Sequence, residues 1–167
     1  AAPDAGKWTT TVGAGAGAAV DIQGNALQLK GGATGGGSGS DVVALTSTLA
    51  STLADAEIEF CLISSSITVE SYLTVALRSA NALPFSGASA YYLFLAQEAG
   101  GSHTLRTIVS KRVSSTGTDL YTGPFVPQTA GQKTWFRFRV KGPALTLWSW
   151  ADGDPVPTVP TWSGTDS

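Results

Sequence analysis

The chain has 167 residues, enough for one domain with a sizeable core, yet only 13% of them are charged. A net charge of −2 excludes the basic footprint of a nucleic-acid binder or of a protein held electrostatically on an anionic membrane. No run reaches the roughly 18 apolar residues of a spanning helix, and a single cysteine excludes an internal disulfide or a multi-cysteine zinc site.

In chain order, the opening AAPDAGKWTT has no basic region followed by an apolar one, so no signal peptide is read there. Residues 1 to 40 are diluted by Gly, Ala and Thr, as in TTTVGAGAGAAV. Within them, Val20 to Gln23 and Ala26 to Lys30 alternate on either side of Gly24-Asn25 and predict a hairpin. Gly31 to Ser40 reads as a flexible loop; it lacks the Gly-Lys-Ser/Thr ending and following helix of a phosphate-binding loop. VVALTSTLA holds a short strand, and Ala56 to Ser64, Ile67 to Arg78, Tyr91 to Gln97 and Thr104 to Val113 are strands by their β-branched and alternating composition. SSTGTD is expected to turn before LYTGPFVP. Lys133 to Val140 and Ala144 to Trp150 form a last pair joined by Lys141-Gly142-Pro143. Residues 151–167 are too rich in proline for a central strand and are expected to run as surface coil.

Short strands at regular spacing without an amphipathic helix predict an all-β fold, an antiparallel two-sheet β-sandwich, as one domain over residues 1–167. A sandwich of this size ends on another strand after a coil, so the 167 residues are expected to be a fragment of a longer chain. In FRFRV, Phe136, Phe138 and Val140 share one face and Arg137 and Arg139 the other, so one face packs inward while the other stays polar or lines a groove.

Catalytic patterns are weak. His103 follows a Gly-Gly turn without a nucleophile elbow and reads as a solvated turn residue. Glu57 and Glu59 share a strand face, as a glycosidase pair would. With Ile58, Phe60 and Leu62 on the opposite face, however, they most simply mark the solvent side of a half-buried strand. Asp152 and Asp154 around Gly153 are turn material rather than a calcium loop. Cys61, within an apolar run, reads as a buried inert thiol. Neither a metal nor a cofactor is expected.

Aromatic side chains remain as a binding resource. Trp148 and Trp150 lie two apart on one sheet face, where they can stack on sugar rings, with Arg106 or Arg137 supplying hydrogen bonds; the competing reading places either tryptophan in the core. Tyr92, Arg106, Arg137, Trp148 and Trp150 are the candidate glycan contacts.

The segment TWFRFRVKGPALTLWSWADGDPVPTVPTWSGTDS carries Trp135, Arg137, Val140, Gly142, Trp150, Asp152, Gly153, Pro155 or Pro157, Trp162, Thr165 and Asp166. In that pattern it resembles concanavalin A-like jelly-roll domains of actinobacterial and actinobacteriophage proteins, including phage minor tail proteins. The resemblance extends to YYLFLAQ and LRTIVSKRVSSTGTDL, and departs at the lengthened DPVPTVP and at the end, where a closing strand is missing. It implies a non-catalytic structural or adhesion module of a virion tail, with Gly142 serving a turn and Trp162 pinning the coil onto the sandwich. Expected partners are other virion proteins in a homo-oligomeric or multicopy assembly and a host cell-envelope glycan, with no nucleic acid and no membrane insertion. The alternatives are a carbohydrate-binding module of a secreted bacterial protein, a glycan-cleaving enzyme relying on Glu57 and Glu59, and a structural particle decoration without sugar affinity.

Overall fold

Strands form where alternation lets one side chain in two reach an apolar core and the other reach water. The computed structural model describes residues 8–12, 19–23, 26–30, 43–47, 55–63, 71–79, 89–98, 103–114 and 116–166, and every regular element among them is a β-strand. Two compact units divide the chain, Ala1–Ser51 and Thr52–Ser167.

In the first unit, β1 (Trp8–Val12) pairs antiparallel with β4 (Val43–Ser47), and β2 (Ala19–Gln23) pairs antiparallel with β3 (Ala26–Lys30). The β2–β3 pair is the hairpin expected from the sequence, in register Gln23↔Ala26; its Gly24-Asn25 turn and the loop at residues 31–40 lie outside the described residues. Strand β1 was not anticipated, because a run of threonines between glycines and alanines has no apolar alternation to mark it.

The second unit contains two antiparallel sheets of four strands. Sheet I has the order β12 (Trp162–Thr165), β11 (Ala144–Ala151), β10 (Lys133–Lys141), β5 (Asp55–Ile63). Sheet II is a meander of β6 (Ser71–Leu77), β7 (Ala90–Glu98), β8 (Thr104–Val113) and β9 (Thr116–Pro127). The expected strand from Ile67 thus begins at Ser71 among the described residues, residues 67–70 lying outside them. Phe136, Phe138 and Val140 of β10 and Leu145 and Leu147 of β11 meet Leu93 and Leu95 of β7 and Leu105 and Val109 of β8 in one buried cluster. Apolar faces of two sheets sharing one core give the molecule its β-sandwich character, each buried Leu, Val or Phe side chain contributing about 1.5–3 kcal/mol.

Two expectations are corrected. Of the turn expected over SSTGTD the described residues keep only Ser114, at φ 56°, and strand β9 already begins at Thr116, Ser115 lying outside the described residues. Pairing Gly117 with Arg112 and Thr118 with Lys111, reinforced by Ser110 Oγ donating to Thr118 O at 3.1 Å, overrides the local turn preference. The C-terminal coil also contains a strand: β12 pairs with β11 from Leu147↔Trp162 to Ala144↔Thr165. Its residues follow the last proline, Pro160, and so keep the N–H groups a ladder needs.

Strand β12 closes the sandwich by reaching across it. The Trp162 ring stacks on Tyr121 of β9, in the opposite sheet, at 5.4 Å between centroids and 22° between planes. Gly164 accommodates that ring, since a Cβ there would lie 2.5 Å from Trp162 Cζ2. Next to it, Asp166 accepts from Tyr91 Oη at 2.5 Å and from Lys111 Nζ at 2.8 Å, both on sheet II, while its own N–H donates to Pro143 O at 2.8 Å. The β10–β11 hairpin turns at Gly142, whose φ of +54° suits the first position of a two-residue hairpin loop. Arg78, just past β6, donates from a guanidinium nitrogen to Gly142 O at 2.7 Å and so fastens this turn to sheet II.

Candidate functional site

The outward face of sheet I is built by the same alternation that builds the core. Trp135, Arg137 and Arg139 alternate with Phe136, Phe138 and Val140 along β10, and Thr146, Trp148 and Trp150 alternate with Leu145 and Leu147 along β11. On β5, Glu57, Glu59 and Cys61 alternate with Ile58, Phe60 and Leu62, which pack on the core. Register then sets rows across the sheet. Cys61, Trp135 and Trp150 are neighbours, as are Glu59, Arg137 and Trp148, and Glu57, Arg139 and Thr146.

Arg137 is the centre of this face. Its Nε donates to Glu59 Oε2 at 2.8 Å and a terminal nitrogen lies 2.6 Å from the same oxygen. The guanidinium carbon is 6.0 Å from the Trp148 ring centroid and 5.8 Å from that of Trp150, within cation–π range of both. Trp150 and Trp135 are near-parallel, 12° apart, with centroids 6.2 Å apart. Trp135 Nε1 donates to Asp152 Oδ1 at 2.8 Å, and Lys133 Nζ lies 3.6 Å from the other carboxylate oxygen. The hydrogen bond from Trp135, supported by the Lys133 charge, holds the Asp152 carboxyl below its usual pKa. All three tryptophans are half-buried, so their rings are supported from below and remain reachable from solvent. The arrangement sets a stacked indole pair beside a hydrogen-bonding guanidinium.

Of the five residues singled out in the sequence, Arg137, Trp148 and Trp150 come together here. Tyr92 and Arg106 belong to sheet II and are not part of this group. Tyr92 is fully buried, its ring 5.6 Å from Phe94 and under the Arg112 guanidinium at 5.8 Å, so it offers nothing to a solvent-borne ligand. Burial also pushes its hydroxyl pKa up. Arg106 lies 4.6 Å over the Phe125 ring, with its Nε buried and unpaired. Alternation alone does not reveal that a strand is covered on both faces, and that is the source of the Tyr92 misplacement. Trp135 and Glu59 complete the site but are not among the five candidate glycan contacts. Trp135 has the same parity as Arg137, so its face was legible; Glu59 joins only through the β5–β10 register.

The features considered for catalysis are engaged otherwise. Glu59 pairs with Arg137, and Glu57 with Arg139 at 3.6 Å. His103 is exposed on a linking segment at φ 33°, and its carbonyl accepts from Gln128 N at 2.7 Å. Asp152 and Asp154 bracket a turn closed by Asp154 N donating to Ala151 O at 3.2 Å. Cys61 is half-buried on the outward face beside Trp135 rather than in the core, and desolvation there, followed by the Asp152 charge, raises its thiol pKa. Among the described residues no group of three or more His, Cys, Asp and Glu side chains is placed to hold a metal ion, and no helix is long and apolar enough to cross a membrane.

Comparison with protein-family models, with curated proteins and with solved structures finds no match for this chain.

Proposed function

We propose that this chain is a non-catalytic adhesion module of the concanavalin A-like jelly-roll type, carried on a phage tail and contacting host cell-envelope glycan through the outward face of sheet I. The observation that carries the reading is the half-buried group of Trp135, Trp148 and Trp150 around Arg137. Pyranose rings present C–H faces that stack on indoles, and their hydroxyls take hydrogen bonds from a guanidinium. A flat sheet face gives shallow contacts, so single-site affinity is modest. Many copies in one particle raise it by avidity. Two antiparallel sheets over one core support the jelly-roll assignment, and the low charge of the chain suits recognition by stacking and hydrogen bonding. The same module appended to a secreted bacterial protein would use the same face.

Binding to cell-envelope preparations or a glycan array tests the reading. Trp150→Ala, with folding checked by thermal denaturation, is expected to weaken binding about tenfold or more, the usual consequence of truncating a central aromatic contact. Binding that is unchanged by Trp148→Ala and Trp150→Ala would remove this face from the mechanism.

A purely structural role is the second reading. Its support is that Arg137 is already paired with Glu59, and Trp135 with Asp152. A glycan array without a hit, combined with intact particle assembly, would select it.

A further inference from the structure

We infer that the ligand of the sheet I face is an uncharged glycan, and that the carboxylates of β5 enforce this choice; the inference rests on the glycan-binding reading above. Every outward position of β10 other than Trp135 carries a cation: Lys133, Arg137, Arg139 and Lys141. Left alone, that row would make a basic stripe suited to uronic acid, sulfated or phosphate-bearing polymers. Strand β5 sets a carboxylate opposite three of these four cations. Glu59 reaches Arg137 at 2.6 Å and Glu57 reaches Arg139 at 3.6 Å. Asp55 is opposite Lys141 in register, and from the far end of β11 Asp152 reaches Lys133 at 3.6 Å. Among the described residues these four carboxylates match the four cations of β10, with Arg78 also 3.8 Å from Asp55, so the face offers a polyanion little net attraction. A bound polyanion would also compete with carboxylates already seated.

Hydrogen-bonding capacity survives this neutralisation. A guanidinium has five N–H donors, and Glu59 engages two nitrogens of Arg137, which leaves donors for an incoming hydroxyl. The aromatic pair beside it makes no distinction of charge: Trp135 and Trp150 stack on each other, within 12° of parallel and 6.2 Å between centroids. Trp135 is fixed in that plane by its bond to Asp152. Stacking plus neutral hydrogen bonding is the recognition chemistry of a sugar polymer without ionised groups. Binding of this kind is insensitive to ionic strength, whereas capture of a polyanion weakens as salt rises.

The test measures the intact chain against a soluble neutral glucan, a neutral mannan, polygalacturonate and dextran sulfate, each at low and high salt. A neutral polymer is expected to bind at least tenfold more tightly than either anionic one, with little change on adding salt. Trp148→Ala and Trp150→Ala should each weaken it about tenfold, and Trp150→Phe should recover part of the loss. The double variant Glu57→Gln/Glu59→Gln should gain salt-sensitive affinity for dextran sulfate of about tenfold, because it unmasks Arg137 and Arg139. Tryptophan-dependent binding that favours polygalacturonate or dextran sulfate and falls with salt overturns the charge inference while leaving the glycan site standing. A Glu57→Gln/Glu59→Gln chain that folds but gains nothing for the anionic polymers overturns the role of β5. Absence of binding to all four polymers overturns the inference together with the glycan reading beneath it.

Discussion

Asp166 shows how much one side chain can hold when it lies between two sheets. Its carboxylate accepts from Lys111 and from Tyr91, and only 16% of the side chain is exposed. The hydrogen bond from Lys111, then the one from Tyr91, pulls its pKa below the usual aspartate value. Because the folded-state pKa is depressed, the associated stability is present above the unfolded aspartate pKa and is lost as pH falls through the folded one. Urea denaturation across acidic pH should therefore show a fall in stability that is smaller in Asp166→Asn. At neutral pH that substitution should cost about 1.5–3 kcal/mol, the range for hydrogen bonds to charged groups. Gly164 is the companion case. Gly164→Ala places a methyl 2.5 Å from the Trp162 ring, and forcing it in should destabilise the chain by about 1–3 kcal/mol, visible as a lower denaturation midpoint.

At the scale of elements, β12 is the shortest strand and has a ladder partner on one side only among the described residues, yet three contacts described there hold it. These are its ladder with β11, the Trp162–Tyr121 stack and the Asp166 bonds to sheet II. Trp162→Ala removes the stack and should release this strand before the rest unfolds. Hydrogen exchange at Ser163 to Asp166 is expected to speed up while the β10 amides stay protected. Equal acceleration throughout sheet I would mean that the strand belongs to the global unit instead. The strands most legible from sequence were β5, β7, β8, β10 and β11: β5 and β10 alternate inward apolar with outward polar residues, while β7, β8 and β11 are rich in the aromatic, β-branched and leucine side chains that favour strands. Strand β12 was hidden by the prolines before it and by its length of four residues, too short for alternation to register. Half of the site was legible for the same reason. Arg137 and Trp150 declare their face by parity, whereas the pairing of Arg137 with Glu59 spans 78 residues of chain and exists only once β5 and β10 are in register.

At the largest scale, the second unit has one core among its described residues that serves both four-stranded sheets, so a cavity made in one sheet should weaken both. Phe138, fully buried in β10, sits in the cluster shared with Leu93, Leu95 and Val109 of sheet II. Phe138→Ala should cost about 3–5 kcal/mol, with tryptophan fluorescence and far-ultraviolet circular dichroism of the sandwich lost in one transition. Two separated transitions would contradict a shared core. Low charge, abundant glycine and alternating strands were enough by themselves to determine an all-β fold, its antiparallel sheets and the parity of each side chain, since these follow from local geometry and composition. Tertiary structure alone decided which face stays open. It covers Tyr92, brings Glu59 to Arg137, and ties residues 162–166 to the opposite sheet through Trp162 and Asp166. The physical reason is that burial and strand register are sums over contacts between distant segments, and no single stretch of sequence carries them.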